Sequence, residues 1–309
     1  MRVLVTGGAG YIGSAVVYRL LGDGHDVKVV DLLVRGGHAL LAACREQRFE
    51  MVLGDVCDPD VAADAVAGCD AIVHLAAVVG TPACERAPEA AVAVNVGATA
   101  SLLAARGQQQ RFVFASTESV YGEVLSGYCD EDTVPEPATR YGRTKLTAER
   151  MVSEAGNSVI MRLATVFGVS GAMRWDALVN SLTLQAVATG TVTLYQPEVR
   201  RSFIHVDDVS RALCLPIQAW SGESQLLVNV GDSRLTVTKR ELVSTICEQT
   251  GAKQVVSDAG QDPDKRDYVM SFDKITKLGF SGKRSLETGV GELVKAARLC
   301  DGTSACADH

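Results

Sequence analysis

A phenol and an ammonium stand four residues apart in Tyr141-Gly142-Arg143-Thr144-Lys145, at the start of an amphipathic stretch running to about Glu154. Residues four apart share a helix face, so the Lys145 ammonium can lie beside the Tyr141 phenol. A phenol is too weak an acid to serve as a base near neutral pH unless a positive charge stabilises its anion. Upstream, Ser116-Thr117-Glu118-Ser119-Val120-Tyr121-Gly122 follows the apolar run Phe112-Val113-Phe114-Ala115 and offers hydroxyls and a carboxylate. These residue types suit proton transfer to and from an alcohol. A Tyr-x-x-x-Lys pair also arises by chance on helices, as an exposed ring beside a solvated lysine, so its meaning depends on the scaffold around it.

That scaffold begins at the N-terminus. Arg2-Val3-Leu4-Val5 is a short apolar run, Thr6 to Gly13 a glycine turn, Ser14 to Leu21 a helical stretch, and Val27 to Asp31 a second apolar run ending in a carboxylate. Strand, loop, helix, strand and acid in that order are the parts a dinucleotide lying across them needs, and their agreement favours cofactor binding over the alternative of a plain glycine-rich turn in an α/β protein. Gly7 turns the chain sharply off the strand, Gly10 removes a side chain where backbone N–H groups must reach a pyrophosphate, and Gly13 lets helix and strand pack closely. Tyr11 and Ile12 lie in the same turn and belong to the same cofactor-facing set. The helix N-terminus presents unpaired N–H groups and partial positive charge to the anion. Asp31 sits where a carboxylate accepts from both ribose hydroxyls, which favours NAD over its 2′-phosphorylated form. The positive nicotinamide would join Lys145 in stabilising the Tyr141 anion.

Further along, Ala39 to Arg45 reads as a short helical stretch, Phe49 to Leu53 as a third strand, and Val61 to Val66 as a helix. Ala71 to Ala77 is almost wholly apolar, as in a strand buried on both faces. Within it His74 reads as a core hydrogen-bonding group, and Leu75, Ala76 and Ala77 reach the cofactor, the alanines being small enough to leave it room. Pro88 to Arg106 reads as a long helix and Phe112 to Ala115 as the fifth strand. Strands alternating with helices at these lengths predict an α/β fold of the Rossmann type, a doubly wound parallel sheet binding its ligand at the strand carboxyl ends. Trp175 to Thr189 is expected to be a helix outside that alternation. The expected division is a Rossmann domain over 1–168, rejoined by about 200–231. A smaller lobe over 169–199 and 232–300 follows, with a disordered tail at 301–309.

The Gly-x-x-Gly-x-x-Gly spacing together with Tyr141 and Lys145 resembles the short-chain dehydrogenase/reductase superfamily. The likeness is strongest to its extended branch, the NAD-dependent nucleotide-sugar epimerases and dehydratases. The resemblance implies that Asp55 and Val56 contact adenine. Aligning Val120-Tyr121-Gly122 with the family's Ser-x-x-x-Val-Tyr-Gly makes Thr117 the hydroxyl that orients the substrate oxygen, with Ser116 as the second choice. Arg162-Leu163-Ala164-Thr165-Val166-Phe167-Gly168 is similar to the family's Arg-x-x-Asn-Val-Tyr-Gly, and Thr165 replaces an Asn that touches the sugar-linked phosphate. Arg201 opens a later signature through Val209 and is a candidate phosphate partner, the alternative being a surface arginine capping a turn. Arg266 is a candidate second clamp, while His205 and Asp208 are expected to anchor the lobe junction.

The reaction this resemblance implies first is 4-epimerisation of a nucleotide-diphosphate sugar through a transient 4-keto intermediate. Tyr141 exchanges the C4 proton, and NAD takes and returns the hydride. A 4-keto-6-deoxysugar ketoreductase would use the same residues. A 4,6-dehydratase fits less well, because that group follows its threonine with Asp-Glu and this chain has Glu118-Ser119. Glu118 is therefore a candidate catalytic group, or else a solvated loop acid. A non-catalytic NAD(H) sensor would be expected to lack the tyrosine or the lysine. Homodimerisation is common in the resembling family, and the Ala-rich face of Pro88 to Arg106 would suit it.

Composition bounds the rest. With 309 residues, 47% hydrophobic and 22% charged, the chain can bury a substantial core. A formal net charge of −7 argues against non-specific binding to nucleic acid or an anionic membrane. The nine cysteines are scattered without a C-x-x-C pair, which predicts reduced thiols and no metal site. A strand beginning at Arg2 leaves no room for a signal peptide, and the apolar runs look too short to span a bilayer, so a cytoplasmic protein is expected.

Overall fold

The computed structural model describes residues 1–124, 127–218, 225–257 and 267–300. Arg266 and the tail at 301–309 lie outside the described residues. Seven parallel strands form the central sheet, in the order 225–230, 158–163, 111–117, 71–74, 2–6, 26–31, 49–53. The first strand has the second on one side and the fourth on the other. The chain therefore leaves it in opposite directions, and a crevice opens at the strand carboxyl ends between them.

Period-2 alternation distributes the apolar runs over both faces of this sheet. Val3, Val5, Val113, Val159 and Met161 pack on one face with Val16, Val17 and Leu20 of the first helix and Val209 and Leu213 of the Val206–Gln218 helix. Leu4, Ile72, Phe112, Phe114 and Ile160 pack on the other with Ala98, Leu102 and Val152. A third buried cluster lies away from the central sheet and includes Trp175, Val179, Phe203, Leu242, Ile246 and Leu293. It draws on the Leu178–Thr189, Lys239–Thr250 and Leu286–Cys300 helices. Arg200–His205 belongs to a separate three-stranded sheet, between Thr165–Phe167 and Thr236–Thr238.

Several boundaries differ from the sequence reading, each for a visible reason. The fifth strand spans Arg111–Thr117, so Ser116 and Thr117 are its last residues; they stay in the ladder opposite Arg162 and Leu163. The fourth strand ends at His74: the Leu75 N–H still reaches the Thr6 carbonyl at 3.1 Å, while the Ala76 N–H turns onto the Thr6 hydroxyl at 3.3 Å. The stretch at 39–45 is two 3-10 turns, His38–Leu40 and Ala43–Arg45, and Trp175 precedes its helix, which spans Leu178–Thr189.

The long Pro88–Ala105 helix contains a π turn over Ala93–Ala98. By length and composition it is apolar enough to cross a membrane, which corrects the expectation that no run would be. Here two of its polar residues fasten it to the fold. Asn95 bonds to Val78 and Thr144, and Thr99 to His74.

Candidate active site

The glycine turn sits at the crevice. Gly7 has φ +70, and a Cβ there would lie 2.7 Å from the Ala76 nitrogen. A Cβ on Gly13 would strike the Gly7 carbonyl oxygen, so only glycine lets the first helix start this close to the strand. The Tyr11–Gly22 helix begins at Gly10 with no side-chain cap, whereas Asp58, Thr139 and Thr238 cap three other helices. Its first N–H groups and positive dipole end are left for an anion. Tyr11 points its hydroxyl away, donating to the Gly168 carbonyl at 2.7 Å, which ties the turn to the segment after Phe167.

Asp31 stands at the end of the second strand, its two oxygens accepting from the Ala9 and Leu33 N–H groups at 2.9 and 2.8 Å. Each carboxylate oxygen keeps a further lone pair for a ribose hydroxyl. Asp55 accepts from the Cys57 N–H at 2.9 Å. Gly7, Gly10, Tyr11, Ile12, Gly13, Asp31, Asp55, Val56, Leu75, Ala76, Ala77, Tyr141 and Lys145 line one cleft, with Ser116 on its wall. A dinucleotide fits this set: glycine space and an uncapped helix start for the pyrophosphate, and a carboxylate for the ribose.

Tyr141 and Lys145 occupy the first two turns of the Arg140–Ala155 helix, where Thr139 accepts from the Gly142 N–H at 3.1 Å and pins the start. Lys145 is buried, its Nζ 3.9 Å from the centre of the Phe114 ring. Burial pushes its ammonium down to about 7, while the Glu149 carboxylate and then the Cys84 thiol pull the other way. His74, between the hydroxyls of Thr6 and Thr99 at 2.7 and 3.1 Å, is held neutral, burial pushing it down to about 3. It is the core group its sequence context indicates.

The two candidate hydroxyls differ. Ser116 donates its proton to Glu149, a carboxylate also held by Arg162 at 2.8 Å. Thr117, at the strand end, accepts from the Ser119 N–H at 3.2 Å and donates to the Ser119 hydroxyl at 3.2 Å; it is not among the cleft-wall residues. Glu118 is not a solvated loop acid: it is 4% exposed, and its carboxylate accepts from the Thr165 hydroxyl at 2.6 Å. Thr165 is thereby committed to Glu118 and is not part of the cleft wall. Arg201 is buried, donating to the Arg200 carbonyl at 3.0 Å, so it is neither a surface cap nor part of that wall.

His205 meets Glu292 at 3.1 Å, and Asp208 accepts from the Lys283 and Arg284 N–H groups, joining the Val206–Gln218 helix to the chain before Leu286. Arg174 was not indicated by any spacing, yet it lines the cleft. Asp176 fixes it with a 2.8 Å ion pair. Among the described residues there is no cluster of metal-ligating side chains, and the eight described cysteines are free thiols.

A glycine-turn cleft at the switch point of a doubly wound parallel sheet, with a tyrosine and a lysine one turn apart on its wall, defines a nicotinamide-dependent enzyme of the short-chain type. The model of the NAD dependent epimerase/dehydratase family matches residues 3–231, and the chain belongs to that family. It is 32% identical over 316 residues to a dTDP-glucose 4,6-dehydratase of Streptomyces niveus, covering 96% of this chain and 92% of the relative. It is also 32% identical to a UDP-glucose 4-epimerase of Streptomyces lividans, covering 81% of each. The crystal structure of the Thermus thermophilus UDP-glucose 4-epimerase in complex with NAD superposes with a TM-score of 0.83 at 28% identity, covering 96% of this chain and 99% of that one.

Proposed function

We propose that the chain is an NAD-dependent 4-epimerase of a nucleotide-diphosphate sugar. The observation that carries this reading is the Tyr141–Lys145 pair on the wall of a cleft whose other wall is the glycine turn and Asp31. Gly7, Gly10, Gly13, Asp31, Asp55 and Val56 would hold NAD, which when bound supplies the acceptor and donor of hydride for the sugar C4. Tyr141, as phenolate, takes the proton of the C4 hydroxyl and returns it after the configuration has changed. Lys145 stabilises the phenolate, and Thr117 donates to the C4 oxygen as negative charge gathers there. A 4-keto sugar that turns before it is reduced leaves as the epimer, with no net redox change.

The third buried cluster supports treating 169–199 and 232–300 as a lobe that closes over the nucleotide sugar. Val92, 48% exposed on the Pro88–Ala105 helix, supports a homodimer through that helix, in a protein we place in the cytoplasm. Incubation of the purified protein with UDP-, TDP-, GDP- and ADP-sugars without added cofactor, read by proton NMR, tests the reading. A changed sugar configuration is the expected result. Turnover only of a 4-keto sugar with added NAD(P)H would replace it by a ketoreductase.

Glu118 favours one second reading, a 4,6-dehydratase. Its buried carboxylate adjoins Thr117, where an acid could help a hydroxyl leave, and the S. niveus relative is named for that reaction. Release of a 4-keto-6-deoxy sugar in the same assay would select it.

A further inference from the structure

Glu149 lies one helical turn beyond Lys145 on the Arg140–Ala155 helix and is 4% exposed. Arg162 grips its carboxylate with Nη2 at 2.8 Å and Nε at 3.1 and 3.2 Å, and the Ser116 hydroxyl donates to it as well. Ser116 and Arg162 are register partners on adjacent strands, so one rung of the sheet brings two side chains to one helix carboxylate. Arg162 in turn stacks over the Tyr121 ring at 4.7 Å.

Such a buried ion pair is a poor stabilising device, since desolvation of both charges offsets their attraction and apolar replacements of similar volume often do as well. Its location gives it another use. The groups facing Lys145 are Tyr141 and Glu149 on its own helix, the Phe114 ring on the fifth strand, the neutral His74 ring on the fourth, and the Cys84 thiol on the Thr81–Arg86 helix. Within this set Glu149 brings the full negative charge.

We propose that Glu149 is a positioning residue for the Tyr141–Lys145 pair: anchored by Arg162 and Ser116, its carboxylate keeps Lys145 an ammonium in a site that excludes water. This rests on the reading of Lys145 as the partner of Tyr141. Without the anion, burial acts on Lys145 against only the lesser pull of Cys84, its proton is lost at lower pH, and the phenolate loses its counter-charge.

Glu149→Gln keeps the shape and an acceptor for Ser116 while removing the charge. The first readout is the pH titration of Lys145 Nζ by nitrogen-15 NMR in protein without substrate, where the midpoint is expected to fall by about one unit. The second is the pH profile of kcat, whose alkaline limb is expected to move down by the same amount with KM little changed. Because Gln leaves Arg162 without its anion, the double variant Glu149→Met with Arg162→Met serves beside it as a well-packed apolar replacement. A folded variant of either kind whose Lys145 titrates as in the unaltered protein would overturn the proposal and leave Glu149 a structural residue. Absence of turnover of any nucleotide sugar by the unaltered protein would sink the epimerase reading alone, because the NMR titration still decides the part played by Glu149.

Discussion

The Ser116 hydroxyl donates its proton to the buried Glu149 carboxylate, whereas the Thr117 hydroxyl donates to the neutral Ser119 hydroxyl at 3.2 Å, a weaker partner that a substrate oxygen can replace. Thr117→Ala is therefore expected to lower kcat by about 10²-fold or more, and Thr117→Ser to restore most of it. Ser116→Ala should cost far less in kcat, its effect arriving through Glu149. Steady-state kinetics of the three variants decide the assignment, and a larger loss in Ser116→Ala than in Thr117→Ala would reverse it.

Lys145 is expected to lower stability while serving activity. In the unfolded chain its ammonium loses its proton near 10.4, and in the folded protein burial brings this down to about 7. The unfolded state thus binds the extra proton between those values, so stability from this group rises with pH across that window and the penalty is complete below it. Lys145→Met is expected to melt higher than the unaltered protein at pH 6, with the difference shrinking toward pH 10, and to be inactive. Melting curves at several pH values check the sign.

Burial of neutral His74 gives a pH dependence of the same sign in a lower window. Its imidazole takes a proton near 6.5 when unfolded but only at about 3 when folded, so its contribution is present above 6.5 and is lost as pH falls toward 3. The slope from this one group is roughly 1.4 kcal/mol per pH unit. A folded His74→Gln variant should show a flatter acid limb in denaturant titrations at pH 4 to 6; an unchanged limb would remove His74 from the account of acid unfolding.

Two glycine substitutions in one helix should part company. Gly13→Ala places a methyl against the Gly7 carbonyl and is expected to abolish co-purification of NAD. Gly22→Ala, with nothing within 4 Å of its added carbon, is expected to retain NAD and to gain roughly 0.5–1 kcal/mol of stability. Absorbance of the purified proteins and their melting temperatures report both, and NAD retained in Gly13→Ala would show that the turn can yield.

The retained phenol is tested most directly by Tyr141→Phe. Removing one oxygen should cut kcat by about 10²–10⁴-fold while leaving cofactor content unchanged. A variant that turned over normally would move the base elsewhere in the cleft.

Local chemistry wrote much of this protein into its sequence. The parallel sheet follows from continuous apolar runs such as Ala71–His74, which need cover on both faces. The glycine turn is legible because only glycine tolerates the positive φ of Gly7 or the contact at Gly13. Tyr141 and Lys145 are legible because their proximity is a property of one helix. What tertiary structure decided are pairings no spacing encodes. It buried Glu118 and joined it to Thr165, 47 residues away, and it assigned the Ser116 proton to Glu149, 33 residues away. It drew Arg201 inside and brought Arg174 to the cleft wall. Whether a polar side chain is solvated, paired or aimed at a ligand depends on which distant elements pack beside it. That is set by the burial of the whole core, and not by the residues next to it in the chain.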